Sequence, residues 1–459
     1  MRRLYLLRLC TFSLSIALVA AGLGWSAVSG EAHIVPPPHS LLPTIGQVRA
    51  ANQIATGVRN FAGPERVLYN FQGSPDGAGP RGTLIADTSG SLYGTTFDGG
   101  VGYGTVFKLS RSGPGYIESV LYTFEGGSDG QTPWAGLIAD STGALYGTTT
   151  YGGNLGCDPS RGCGTVYKLT PAGSGYTETV LYSFGSYSGD GTNPGFGALV
   201  ADKTGALYGT TRSGGSANFG TVFKLTPSGS GYTESLLHSF QFGSDSGYPA
   251  AGLMRKDGNL YGTTEGFCCP SGAVVFRLTP SRNEYRFKTL YTFLGVPDGD
   301  QPVGGVIADS TGALYGTTYV GGNGPPLCGT TLGCGTVFKL TPSGSNYTES
   351  ILYRFQYNPT GPGIWDGAFP YAGVVTDASG ALYGTTYGGG SNENHCATFS
   401  CGTIFKLTPM GLSYTETSFA FNGVDGLFPY ASLIRVKRVL YGTTQQSTFG
   451  SGTVFKMTF

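Results

Sequence analysis

The sequence predicts an all-β fold: a seven-bladed β-propeller of four-stranded antiparallel blades, closed by an N-terminal strand that completes the last blade. Three observations carry that expectation. The five residues Leu92-Tyr93-Gly94-Thr95-Thr96 recur at Leu145, Leu207, Leu260, Leu314, Leu382 and Leu440, giving seven copies. Around each copy lie further short apolar or aromatic segments, so that each unit offers the four candidate strands of a propeller blade. The two ends of the repeat are also complementary. The last unit stops after its third segment, Gly452–Met457, and an aromatic segment, Val67-Leu68-Tyr69-Asn70-Phe71, opens the repeat with no unit before it. A ring that joins head to tail uses both pieces and removes two exposed sheet edges. An open solenoid would want capping repeats instead.

Composition agrees with many short strands joined by tight turns. Of 459 residues, 79 are glycine and 26 proline, 12 % are charged and 13 % aromatic. A disordered chain lacks such aromatic content. Lys+Arg and Asp+Glu both number 27, so nothing favours nucleic acid or an anionic membrane surface as partner.

Taken in order, the chain begins with Arg2, Arg3 and Arg8 before an apolar run from Leu9 to about Leu23, then the small residues Ala27 and Ser29. Residues 1–29 are therefore expected to be a secretory signal peptide, with an uncleaved N-terminal anchor as the alternative. Residues 30–64 contain Pro36-Pro37-Pro38 and no β period, and read as a linker; residues 65–459 are the expected propeller. The protein is expected outside the cell or on its surface, as a monomer.

Within a unit, the second copy shows the pattern. Gly136–Asp140 and Ala144–Thr149 flank an Asp-Ser-Thr-Gly turn, and Gly164–Leu169 and Tyr176–Phe184 flank Thr170–Gly175. A basic residue recurs in the third strand (Lys108, Lys168, Lys224, Arg277, Lys339, Lys406, Lys456). A Glu recurs before the fourth (Glu65, Glu118, Glu178, Glu234, Glu349, Glu416). Folding the hairpin is expected to pair them across the strands, with Glu65 approaching Lys456 at the closure.

The run LYGTT, then GTVFKLTPSGSGYTE, an aromatic strand, and Asp-Gly and Pro before the next unit resembles the Gloeo-Verruco (GloVer) tandem repeat of exported bacterial choice-of-anchor proteins. It covers about Glu65 to Phe459. The resemblance implies an exported, repeat-built protein and supplies no biochemical activity. The C-terminal anchors of that family are not expected here, since the sequence stops at Phe459 without a sorting motif or apolar tail.

In a propeller, the second-to-third loops and the fourth-to-next loops open on one face, and these are the loops that vary most here. The second set carries Asp-Gly turns at Asp76, Asp129, Asp190, Asp298, Asp366 and Asp425, with Asp245 as the seventh. Such an Asp is expected to bond its own turn. One Asp per loop does not supply calcium's six to eight oxygens, so no metal or cofactor is expected. After the following Pro comes a varied position: Arg81, Trp134, Ala250, Val303, Tyr371 and Tyr430, with Phe196 nearby in the third unit. Tyr151, Tyr319, Tyr387 and Phe97 follow the Thr-Thr pairs on the same face. These side chains could stack on sugar rings or other flat ligands, or pack against neighbouring blades and close the channel.

Beyond Cys10 in the signal segment, eight cysteines lie in second-to-third loops. Cys157/Cys163, Cys328/Cys334 and Cys396/Cys401 are expected disulfides, each stapling an inserted loop. The adjacent Cys268 and Cys269 would form a strained bridge or stay reduced. Enzyme signatures are scarce. Gly126–Gly130 matches a nucleophile-elbow pattern but lies between strands, and no phosphate or dinucleotide fingerprint occurs. The expected function is a secreted or cell-surface binding module for an extracellular glycan or cell-surface protein. The alternatives are a polysaccharide lyase or hydrolase using acidic residues at the channel mouth, and a purely structural surface repeat.

Overall fold

The computed structural model describes residues 65–458 apart from 174, 242, 244, 267–271, 283, 325–331, 357–365, 391–400 and 412. The expected signal segment 1–29 and linker 30–64 lie outside the described residues, as do Cys268, Cys269, Cys328 and Cys396.

Seven four-stranded antiparallel sheets follow one another along the chain. Blade 2 runs Ile138–Ala139, Leu145–Thr149, Thr165–Ala172 and Gly175–Ser183 from inner to outer edge. Blade 7 takes Ile434–Val436, Val439–Thr444 and Thr453–Thr458 from the C-terminal end and its outer strand, Arg66–Asn70, from the other. There Val67 pairs with Phe455 and Asn70 with Thr453, so the ring closes as the sequence implies.

The third strand reaches further than expected, and the fourth lies one residue earlier. Thr165–Ala172 continues through Pro171, which pairs with Tyr176 across a hairpin that turns at Gly173 (φ +60°). Proline is tolerated because the second strand ends opposite Leu169, leaving that side of the third strand without a ladder partner.

Each letter of the repeated pentapeptide has a physical task. The Leu is buried in every blade. In blades 1, 2, 3, 5 and 6 the Tyr hydroxyl donates to the Asp of its own inner turn, at 3.0 Å for Tyr93–Asp87 and 2.9 Å for Tyr146–Asp140. The Gly leaves room for the third-strand ring: a Cβ on Gly94 would stand 2.6 Å from Phe107 Cζ, and one on Gly147 2.3 Å from Tyr167 Oη. In blades 1, 3, 4, 5 and 6 the first Thr bonds the next blade, as Thr95 Oγ1 does to the Ala135 carbonyl at 2.9 Å and Thr317 Oγ1 to that of Ala372 at 2.7 Å, while Thr148 and Thr443 Oγ1 are buried without a partner. The second Thr pairs within the blade, Thr96 with Thr105 and Thr318 with Thr336.

Between blades the core is aromatic. The Phe that follows each fourth strand meets the third-strand ring of the next blade edge-on. Phe71–Phe107 and Phe184–Phe223 have centroids 4.9 and 5.0 Å apart, and the other five junctions repeat the contact. The T-shaped geometry suits the ring quadrupoles and adds about 0.5–1.5 kcal/mol per pair beyond area burial.

The expected Lys–Glu pairing is corrected by the register. Lys168 stands opposite Thr179 and Glu178 opposite Leu169, so strand alternation sends the two charges to opposite faces. The lysines lie over the pentapeptide tyrosines, Lys108 5.3 Å from the Tyr93 centroid and Lys224 5.6 Å from that of Tyr208. At the closure it is Arg66, not Glu65, that stands opposite Lys456. The glutamates instead turn toward the preceding blade. Burial, reinforced by the Asp of that blade's loop, raises Glu118 and Glu178 to about 7 and Glu65 to about 8.

Candidate functional site at the channel mouth

The mouth is built by a backbone device used once per blade. The residue before each loop proline adopts a left-handed conformation: Gly79 (φ +62°), Thr132 (+61°), Asn193 (+58°), Tyr248 (+59°), Gln301 (+54°), Phe369 (+60°) and Phe428 (+59°). For non-glycine residues this is strained, and it persists because backbone bonds over-determine it. Thr132 N–H donates to the Tyr103 carbonyl of the preceding blade, and its own carbonyl accepts from Thr150 N–H. Phe369 does the same between Cys334 and Tyr387, and Phe428 between Cys401 and Gln445.

The bond that holds this residue therefore places two side chains together. One follows the proline; the other follows the Thr-Thr of the same blade. Seven blades give two concentric sets: Arg81, Trp134, Phe196 (displaced by one inserted residue), Ala250, Val303, Tyr371 and Tyr430; and Phe97, Thr150, Arg212, Glu265, Tyr319, Tyr387 and Gln445.

Their rings touch. Trp134 lies 5.3 Å from Phe196 and 5.8 Å from Tyr430. Tyr430 stacks on Tyr371 at 4.1 Å, Tyr371 meets Tyr319 at 4.6 Å and Tyr387 at 5.6 Å, and Tyr387 stacks on Phe428 at 4.7 Å. The arc runs over the blades from the fifth round to the third, and Ala250 and Val303 leave the remaining side without rings. All of these aromatic side chains are half-buried, so each keeps some surface toward solvent.

Arg81 sits within the arc. Its Cζ is 3.9 Å from the Trp134 centroid, 4.2 Å from that of Phe97 and 5.1 Å from that of Tyr430. Its Nε is buried without a hydrogen-bond partner, and no carboxylate among the described residues pairs with it. Burial pulls the guanidinium below its ordinary value, opposed by Tyr430, Tyr387 and Tyr371. Arg212 is different, since its Nη2 bonds Glu265 Oε2 at 2.7 Å while its guanidinium lies over Phe196 and Tyr248. Burial pushes Tyr430 up to about 12 and raises Tyr371 and Tyr319 further, so the hydroxyls stay protonated.

The Gloeobacter/Verrucomicrobia repeat matches residues 58–272, 156–394 and 270–459, which together span the whole propeller. The chain belongs to the Gloeobacter/Verrucomicrobia repeat family. No curated protein matches it. Among solved structures, an ulvan lyase described as a new family of polysaccharide lyase is similar at 10 % identity and a TM-score of 0.48, covering 86 % of this chain and 96 % of its own. A candidate 6-phosphogluconolactonase from Bacteroides uniformis is similar at 14 % identity and 0.45, covering 74 % and 85 %.

In this member of the repeat family, seven of the eight expected mouth residues come together: Arg81, Trp134, Phe196, Tyr319, Tyr371, Tyr387 and Tyr430. Tyr151 does not join them. The second blade reads Thr148-Thr149-Thr150-Tyr151, and the extra Thr150 takes the mouth position. Tyr151 lies instead beneath Arg161, 5.3 Å away, in the loop stapled by Cys157–Cys163. That disulfide forms as expected, and Cys334 and Cys401 are also disulfide-bonded. Arg212 and Glu265 were missed, although they stand right after the Thr-Thr of their blades.

The repeated loop Asp residues turn into their own loops. Asp76 accepts from Gly77 N–H at 2.7 Å, Gln72 N–H at 3.0 Å and Tyr69 Oη at 3.0 Å, and Asp190 repeats the pattern with Gly191, Ser186 and Tyr182. They do not converge on the channel mouth, where a glycosidase would need two carboxylates.

Proposed function

We propose that this propeller is an extracellular binding module that takes a carbohydrate at the mouth of its channel, on the loop-rich face. The observation that carries this reading is the half-buried aromatic arc of Trp134, Tyr371 and Tyr430. Ring faces of this kind stack on the apolar faces of pyranose sugars, while nearby tyrosine hydroxyls and guanidinium groups bond their hydroxyls. The disulfides are in keeping with an oxidising compartment. The enzymatic alternative is weaker, because the repeated Asp side chains are committed to their own turns.

A glycan array and calorimetric titration of the full chain test the proposal. Binding of at least one oligosaccharide class, reduced tenfold or more when Trp134, Tyr371 and Tyr430 are changed together to Ala, is the expected result. Equal binding by the triple variant, or no binding by the wild type, overturns it.

A further inference from the structure

Arg81 is a cation whose faces are occupied and whose donors are not. Aromatic rings at 3.9 and 4.2 Å hold the guanidinium in place. Its Nε is buried with no acceptor, and among the described residues no hydrogen bond or ion pair engages the rest of the group. A guanidinium has five N–H donors in a planar fork and no acceptor capacity. Arg212, on the same face, also has a buried Nε without a partner, but its Nη2 is received by Glu265 at 2.7 Å, so its charge is paired. The charged side chains of the two mouth sets are then two arginines and one glutamate, in a chain whose formal net charge is zero. The excess positive charge is local, and it lies among the rings that would stack on sugar.

We infer that the mouth selects an acidic carbohydrate, with a sugar-borne oxyanion received by the guanidinium of Arg81 while the neighbouring rings take the pyranose face. This rests on the carbohydrate reading above and adds the ligand's charge to it. The fork geometry matches a planar carboxylate in bidentate fashion, as in a uronic acid, and a sulfate ester offers the same oxygens. Because ring contacts fix the guanidinium beforehand, little side-chain freedom is lost when the oxyanion arrives. A neutral sugar would leave the charge unmatched.

Calorimetric titration of the full chain with three probes tests this: oligogalacturonate, the same oligomer with its carboxyls reduced to alcohols, and a sulfated galactan oligomer. The wild type is expected to bind the uronate at least tenfold more tightly than its reduced counterpart. Arg81→Ala should lose that preference, binding the uronate about 10- to 100-fold more weakly and no better than it binds the reduced oligomer. Arg81→Lys, which keeps charge without the fork, should fall between. Sulfated galactan bound with the same Arg81 dependence supports a general oxyanion site, and its exclusion supports a carboxylate site. Equal wild-type affinity for acidic and neutral oligomers overturns the inference and leaves the carbohydrate reading standing, as does a preference that survives in Arg81→Ala. Failure of all three probes to bind overturns the inference, and the glycan array then decides the carbohydrate reading separately. The wild-type comparison needs no variant, so a poorly folding Arg81→Ala would not spare the inference.

Discussion

His238 lies flat on Phe287, ring centroids 4.3 Å apart and 11° from parallel, and this stack replaces a pair of residues used at other blade junctions. In five of the other six blades a tyrosine fills the His238 position, as Tyr122, Tyr182 and Tyr291 do, and donates to the loop Asp; the next blade supplies a glutamate beside that Asp. Here His238 Nε2 stands 2.6 Å from Asp245 Oδ2, and the glutamate's place is taken by Phe287. Both changes occur at one junction: Phe287 removes the second carboxylate from beside the loop Asp, and His238 keeps that Asp supplied with a polar partner.

His238→Ala should therefore lose the ring stack and withdraw a polar partner from buried Asp245, destabilising the fold by about 2–4 kcal/mol. His238→Tyr should lie within about 1 kcal/mol of wild type, because five other blades accept that side chain. Urea unfolding of the two variants checks the contrast; a loss in His238→Tyr as large as that in His238→Ala would contradict it.

Tyr167 stands where the six other blades place Phe in the third strand. It is fully buried, and its hydroxyl has no hydrogen-bond partner. A buried hydroxyl without a partner forfeits its hydration, so Tyr167→Phe should stabilise the protein by about 1 kcal/mol. A raised unfolding midpoint is expected. A lowered one would mean that the hydroxyl is satisfied in solution.

The ring was legible because the pentapeptide, the hairpin and the junction Phe recur seven times in the same order, and its closure because the two ends of the repeat are complementary. The mouth was legible to the same extent, since Pro and Thr-Thr mark both of its residue sets. Tyr151 was misread because one added threonine shifts it past the mouth, and a count from Thr-Thr would have placed it correctly. The same count places Arg212 and Glu265 at the mouth, where an aromatic pattern alone does not mark them. The Lys–Glu pairing failed for a different reason. Hairpin register depends on turn length, and a one-residue slip exchanges the faces of every side chain. The bonds that lock the pre-proline residue cross between blades, so no local pattern announced them.

The junction glutamates predict a pH dependence. Burial first, and then the neighbouring loop Asp, raise Glu118, Glu178 and Glu349 to about 7. Burial also takes Glu65 and Glu416 to about 8. An unfolded glutamate titrates near 4.3, so between about pH 4.5 and 8 the folded state holds more protons than the unfolded state. Stability is then greatest at the acidic end and falls as pH rises through that window. Solvent reaches several of these half-buried groups, so each contributes only part of what its shift suggests. Urea midpoints should fall from pH 5 to pH 8, and the combined Glu118→Gln and Glu178→Gln variant should flatten the slope. A wild-type midpoint constant across the window would contradict the assignment.

The glycine of the repeated pentapeptide is required by packing and not by backbone conformation. At Gly262 an added Cβ would stand 2.4 Å from Phe276 Cζ, 2.9 Å from Phe276 Cε1 and 3.1 Å from Leu253 Cδ2. Phe276 has 0 % and Leu253 5 % of its surface exposed, so neither can swing into solvent to make room. Relief must come from moving the ring, and Phe276 in turn touches Phe240 of the preceding blade at 5.4 Å. Gly262→Ala is therefore expected to destabilise by about 1–3 kcal/mol through overpacking. Gly231, at a hairpin tip where an added Cβ would meet nothing within 4 Å, is the control. Gly231→Ala should change stability by less than about 0.5 kcal/mol. Chemical unfolding of both variants separates crowding from a general intolerance of alanine, since only crowding predicts a loss confined to Gly262.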